Sequence, residues 1–418
     1  MKAVDKNQFQ SHLLWNFSSL FFIGIGGFFL NVLIARLYGA EALGVFNQVL
    51  AYYLIISQAC VGGLAFSTLR FTSRYARRNK IYTSILNPAI CIALITSLFA
   101  AIFSWWLAPF FASFLQSPFV ENGVKCVTPG LLAFSINKII FAALNGSRQM
   151  KAYAVGQSVR YILFISVLSI LIQYEVQPQY LPILFSISEI ILLIGLFIYS
   201  YFSTGIGSID LKSSWWKRHI NYGIRAWLIG LMMDLNTKVD ILMLGYFVDD
   251  RTVGIYAFAV LFVEALMQLV FVVQNNYNPI LAKLEVKRRI KGLYQMIRQV
   301  YLYFFPVVLI SIMIISILFP WLSYMVTNDT TFQMARLYFV IISSFILLVS
   351  GILPFNMVIN QFGQPGRFTL FILCTVVINV ILNVSLIPLY GAVGAAFATG
   401  IAFLAQAPLL WLFLRKTI

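Results

Sequence analysis

The chain has 418 residues, of which 61% are hydrophobic and 10% charged, with a formal net charge of +16 at pH 7. Soluble domains average about half apolar and a quarter charged, so this composition excludes an ordinary soluble protein. Basic residues collect on the cytoplasmic side of membrane proteins, so the charge alone is no argument for a nucleic-acid partner.

A transmembrane helix needs roughly 20 mostly apolar residues. Such runs begin at Leu13 and recur to the C-terminus. An all-α polytopic membrane protein of about twelve transmembrane helices is predicted on that length rule. The spans are 13–35, 43–69, 85–106, 124–144, 153–172, 181–202, 221–247, 252–279, 297–321, 337–360, 368–388 and 393–414. Asp5, Asn7, Gln8 and Gln10 precede a full-length span, so the first helix is read as retained rather than cleaved. Only a very short turn over 389–394 separates the last two spans. No loop is long enough to fold as a domain.

Loop charges set the orientation. One set of loops holds Lys2, Lys6, Arg70 to Lys80, Arg148, Lys151, Lys212 to Arg218, Lys283 to Arg298, Arg367, Arg415 and Lys416. The alternate loops hold only Arg36, Lys125, Arg251 and Arg336, with Glu41, Glu121, Glu175, Asp249, Asp250 and Asp329. The positive-inside rule then places both termini in the cytoplasm. Trp105, Trp106, Trp215, Trp216, Trp321 and Trp411 lie near span ends, as an aromatic belt requires.

The halves resemble one another. ARLYGAEALGVF (35–46) aligns with GYFVDDRTVGIY (245–256), Gly44 falling on Gly254. At the same offset Arg77 and Arg78 fall on Lys287 and Arg288, and NGSR (145–148) pairs with NQFGQPGR (360–367). This predicts two pseudo-symmetric six-helix lobes, 1–205 and 206–418, in parallel repeat. Transporters build a midplane site between such repeats.

Charged residues inside the spans are Lys138, Arg160, Glu189, Arg225, Asp234, Lys238, Asp240 and Glu264. Each costs about 2.5–3.5 kcal/mol at a helix centre, so it faces protein or water. Asp234 and Lys238 lie four apart on one helix face, where they read as a structural ion pair or as part of a site. Arg225 near the inner end either joins a cavity or snorkels to headgroups. Asp240 near the outer end is a buried acid or a solvated one. The first half is cationic in bias, suited to phosphate. The second carries acids able to take a proton or Na⁺. Ser135, Asn137 and Asn145 make span four polar, and Asn379 and Asn383 are placed to bond between helices.

Other motifs are absent or false. Gly24-Ile-Gly-Gly27 lies inside a span and serves close packing rather than a dinucleotide. No Walker A sequence is present. His12 and His219 are far apart in sequence, and Cys60, Cys91, Cys126 and Cys374 have no metal or disulfide spacing.

Four stretches resemble the Wzx-type polysaccharide flippases, of the superfamily that includes the MATE exporters and MurJ lipid II flippases. They are NVLIARLYGAEALGVF (31–46), ALNGSRQMKAYAVGQSVRYILF (143–164), KVDILMLGYFVDDRTVGIYAFA (238–259) and LNVSLIPLYGAVGAAFAT (382–399). A MurJ-like chain is expected to carry two further C-terminal helices. The resemblance implies a MATE-like bundle in the bacterial inner membrane that turns an undecaprenyl-pyrophosphate-linked oligosaccharide, such as an O-antigen unit, to the periplasmic leaflet. It implies a non-enzymatic transporter without cofactor, coupled to H⁺ or Na⁺. Partners would be the lipid-linked glycan, membrane lipid, a glycan polymerase and a chain-length regulator, and no nucleic acid. Asp240 and Glu264 match acidic positions common in the family. From charge and depth, Arg160, Lys138, Arg225 and Lys238 are the pyrophosphate candidates, and Asp234, Asp240, Glu264 and Glu189 the ion-coupling candidates. The rival readings are a cation-coupled multidrug exporter of the same fold, a membrane glycan enzyme, which usually needs a substantial catalytic loop, and a non-transporting scaffold.

Overall fold

The computed structural model describes residues 6–75, 79–204, 213–283 and 289–415. Among them there is no strand. The helices are α1 (Lys6–Val61), α2 (Leu64–Tyr75), α3 (Asn79–Phe114), α4 (Pro118–Gly146), α5 (Met150–Gln173), α6 (Ile183–Thr204), α7 (Trp215–Phe247), α8 (Asp250–Lys283), α9 (Arg289–Thr327), α10 (Ala335–Val349), α11 (Val358–Gln361) and α12 (Pro365–Arg415).

Nine described segments are long and apolar enough to span a membrane. Two of them fold back on themselves. The chain reverses at Gly39 in α1 (φ 83°) and at Gly391 in α12 (φ 55°), where L residues with a Cβ are strained. The short turn over 389–394 is thus a single glycine elbow. The 33-residue α7 is long enough to cross as well, but its charges make it more polar than the rest. Together these elements give the twelve-helix, multi-pass architecture. Gly62 (φ 56°) breaks the second crossing and separates α2 from α1.

The chain divides into two compact units. The first comprises Met1–Leu33 and Gln48–Asp234, the second Ile34–Asn47 and Leu235–Ile418. The second unit therefore begins inside α7, and it takes in the elbow around Gly39. Each unit has its own core. In the first, Val61, Leu64, Tyr82, Leu86, Ala89 and Ile139 form one buried cluster. In the second, Phe258, Phe262, Phe319, Phe332 and Phe339 pack ring on ring, with the Phe262 and Phe319 centroids 4.8 Å apart. Gly26 packs directly on the Tyr161 ring, the close approach expected of the Gly24–Gly27 stretch.

The sequence repeat has a structural counterpart inside the second unit. A Cβ on Gly44 would strike the Asp250 carbonyl, and one on Gly254 would strike the Ala40 carbonyl. Ala40 and Gly44 correspond to Asp250 and Gly254 in the repeat. The contact is therefore reciprocal, as a local pseudo-twofold requires.

Candidate functional site

Two buried polar clusters stand out, one in each unit. The first is built by α4, α5 and α6. Arg160 reaches Glu189 through Nε–Oε1 at 2.7 Å, and Nη2 donates to Oε2 at 3.2 Å. Nη1 donates to Gln157 Oε1 at 3.0 Å. The guanidinium lies over Phe134 and Phe141, 5.1 and 4.9 Å from their centroids. Asn137 Nδ2 donates to Glu189 Oε2 at 2.7 Å and to the Glu189 carbonyl at 3.0 Å. Glu189 and Asn137 are wholly buried. The charges balance here, and the fork geometry suits Arg rather than Lys.

One helical position on, Lys138 has a different environment. Its Nζ donates to Gln58 Oε1 at 3.0 Å and Ser57 Oγ at 3.2 Å, and lies 4.8 Å from the Phe134 centroid. Asp234 is within its electrostatic reach, with no direct ion pair between them. Lys138 is therefore a partly buried ammonium held by neutral oxygens and a ring.

The second cluster joins α7, α8 and α12. Asp240 is buried, and its Oδ2 accepts from Tyr256 Oη at 2.9 Å and Thr399 Oγ1 at 3.1 Å. The two hydroxyls also lie 3.1 Å apart. Among the described residues Asp240 Oδ1 has no hydrogen-bond partner. Such an arrangement, a carboxylate with one oxygen open and only hydroxyls beside the other, can take up a proton or a hard cation. The reading of Asp240 as a solvated acid is thus corrected, because α8 and α12 cover it.

Two other sequence expectations also change. Lys238 Nζ meets Glu264 Oε1 at 3.1 Å across α7 and α8, and the Glu264 side chain is 51% exposed rather than buried. Asn379 and Asn383 bond to each other within α12, Asn383 Nδ2 donating to Asn379 Oδ1, rather than between helices. Arg225 is exposed on α7.

Sequence reading missed Ser57, Gln58, Tyr256 and Thr399, the partners that define both environments. His219, read in the sequence only as too far from His12 for a metal site, is wholly buried. His219 Nδ1 lies 2.6 Å from Ser67 Oγ and Nε2 3.0 Å from the Ile85 carbonyl, joining α7 to α2 and α3. Tyr256 was visible only as part of the GIY repeat.

No family model matches the chain, and no curated protein matches it in sequence. Solved structures do match in shape. The inward-closed lipid II flippase MurJ is 15% identical, with TM-score 0.76 over 96% of this chain and 87% of that one. An inward-facing MATE-family multidrug resistance transporter of the MOP superfamily is 12% identical, with TM-score 0.79 over 94% of both chains. The MATE transporter VcmN of Vibrio cholerae is 14% identical, with TM-score 0.65 over 98% of both. The fold is that of MurJ and the MATE transporters.

Proposed function

We propose that the protein is a non-enzymatic flippase that carries an undecaprenyl-pyrophosphate-linked oligosaccharide from the cytoplasmic to the periplasmic leaflet of a bacterial inner membrane. The observation that carries this reading is the setting of Lys138. Among the described residues it is in no ion pair, and intramembrane charges of that kind mark substrate paths. A diphosphate headgroup supplies the anion it lacks. Arg160 is a weaker candidate, because Glu189 already neutralises it. Arg225 and Lys238 are secondary, the first exposed and the second paired with Glu264.

Asp240 is the leading ion-coupling position, ahead of Asp234, Glu264 and Glu189. Protonation or Na⁺ binding there biases the transport cycle if its affinity differs between states. The glycan's polymerase and chain-length regulator would act on the product.

The test is deletion of the gene, followed by mass spectrometry of lipid-linked glycans and a gel of surface polysaccharide. Loss of surface glycan with accumulation of cytoplasm-facing single repeats is the expected result. Complementation with Lys138→Ala should fail at normal protein level, while Lys138→Arg should restore part of the glycan. Full glycan with Lys138→Ala would remove the carrying observation.

The second reading is a cation-coupled multidrug exporter, favoured by the likeness to MATE structures and by the accessible Glu264 carboxylate. It predicts unchanged glycan and raised sensitivity to cationic dyes on deletion. The ammonium of Lys138 repels such substrates.

A further inference from the structure

The middle of α8 carries one polar edge through an apolar span. Glu264, Gln268, Phe271 and Asn275 follow at spacings of four, three and four, which puts all four on one face of the helix. All four are exposed, Phe271 at 43%. At 1.5 Å per residue the stripe runs for about 17 Å, and it lies inside the membrane-length segment Asp250–Asn278. The neighbouring exposed side of the same helix is built differently. It carries Leu269 and Val272, and its amide, Asn276, turns back to donate to the Val272 carbonyl at 2.8 Å. That side suits lipid. Gln268 and Asn275 make no such bond among the described residues. An exposed amide in hydrocarbon has nothing to bond and is costly there. The polar edge therefore faces water.

The edge is neutral in sum. Lys238 of α7 meets Glu264 at 3.1 Å, and no further charged residue occurs before Lys283. Neither a cation nor a phosphate finds an uncompensated partner here. What remains is two amides, each able to donate and accept, with an aromatic ring between them. A sugar ring is the complement of that set. Its hydroxyls donate and accept as the amides do, and its C–H face lies flat against an aromatic ring. A purely apolar ligand would leave both amides unpaired.

We infer that this edge of α8 binds neutral sugar rings of the transported glycan, with Gln268 and Asn275 bonding hydroxyls and Phe271 stacking on a ring. This rests on the proposed flippase activity and adds to it the part of the substrate that Lys138 does not address. The stripe is long enough for a short run of rings rather than a single one.

Native mass spectrometry of the full chain released from detergent tests it. The probes are undecaprenyl diphosphate and the same lipid carrying the disaccharide chitobiose. Wild type should retain the glycosylated lipid over the bare one. In Gln268→Ala/Asn275→Ala that preference should fall about five- to twentyfold, since each neutral hydrogen bond is worth about fivefold. Retention of the bare lipid should not change. Phe271→Leu should lose part of the preference, and Phe271→Trp should keep it. Far-ultraviolet circular dichroism checks that the variants are folded. If the double variant does not fold, Gln268→Ala alone should lose about fivefold on the same estimate. Equal retention of the two lipids by wild type overturns the inference, and weakening of both by Lys138→Ala would then leave the flippase activity standing. Unchanged preference in the folded variants overturns it too. So does an equal loss of both lipids in those variants, which would assign the edge to the diphosphate or the isoprenoid. Retention of neither lipid by wild type removes the inference together with the activity on which it rests.

Discussion

The clusters around Arg160 and around Asp240 are both buried, yet they handle charge in opposite ways. In the first, cation and anion meet fork to fork and nearby amides take the remaining positions. In the second, a carboxylate accepts from two hydroxyls on one oxygen, and among the described residues its other oxygen has no hydrogen-bond partner. A buried charge with its counter-charge in place has no reason to exchange partners. One stabilised by neutral dipoles can gain or lose a proton or a cation with little rearrangement. The comparison teaches that burial alone does not mark a working residue; the sign balance of its surroundings does.

The first prediction breaks the balanced cluster. Arg160→Ala leaves Glu189 charged and alone, and should cost about 3–5 kcal/mol. Thermal unfolding in detergent should show it as a large fall in the midpoint and in yield. Arg160→Met/Glu189→Leu should recover most of the loss, and a double variant as unstable as the single would refute the pairing. Tyr256→Phe attacks the unbalanced cluster by removing one of its two hydroxyl donors, at about 1.5–3 kcal/mol if the carboxylate is ionised. Repeating the melt at a pH low enough to protonate Asp240 should shrink that difference, and an unchanged difference would show a carboxyl that does not titrate. Gly254→Ala should cost about 1–3 kcal/mol by forcing the Ala40 carbonyl away. The smallest effect sharpens the contrast. Asp240→Asn keeps shape and hydrogen bonding, so its stability should change by less than about 1 kcal/mol. Transport should nonetheless lose its dependence on the coupling ion, measured in proteoliposomes with imposed H⁺ or Na⁺ gradients.

Much of the fold was legible because bilayer crossing imposes a length and polarity rule on every segment. Even the very short turn over 389–394 was visible, although only the structure shows Gly391 as its pivot. The charged positions were legible one at a time, since any ionisable side chain in an apolar run stands out. Their partners were not. Arg160 finds Glu189 29 residues away, and Lys138 finds Gln58 80 residues away. Lys238 finds Glu264 on the next helix, 26 residues away. Helical spacing reports which residues share a face, while pairing across helices depends on packing that one sequence does not encode locally. Neutral partners such as Ser57 and Gln58 leave no signal at all.

The reciprocal contact of Gly44 and Gly254 has a consequence for how the gene could drift. Each copy of this segment is the mould into which the other fits, so a larger side chain in either copy is penalised by its twin. Two stretches descended from one duplicated unit would then be free to diverge everywhere except where they press on each other. That gives a mechanical reason for both segments to carry glycine at this junction.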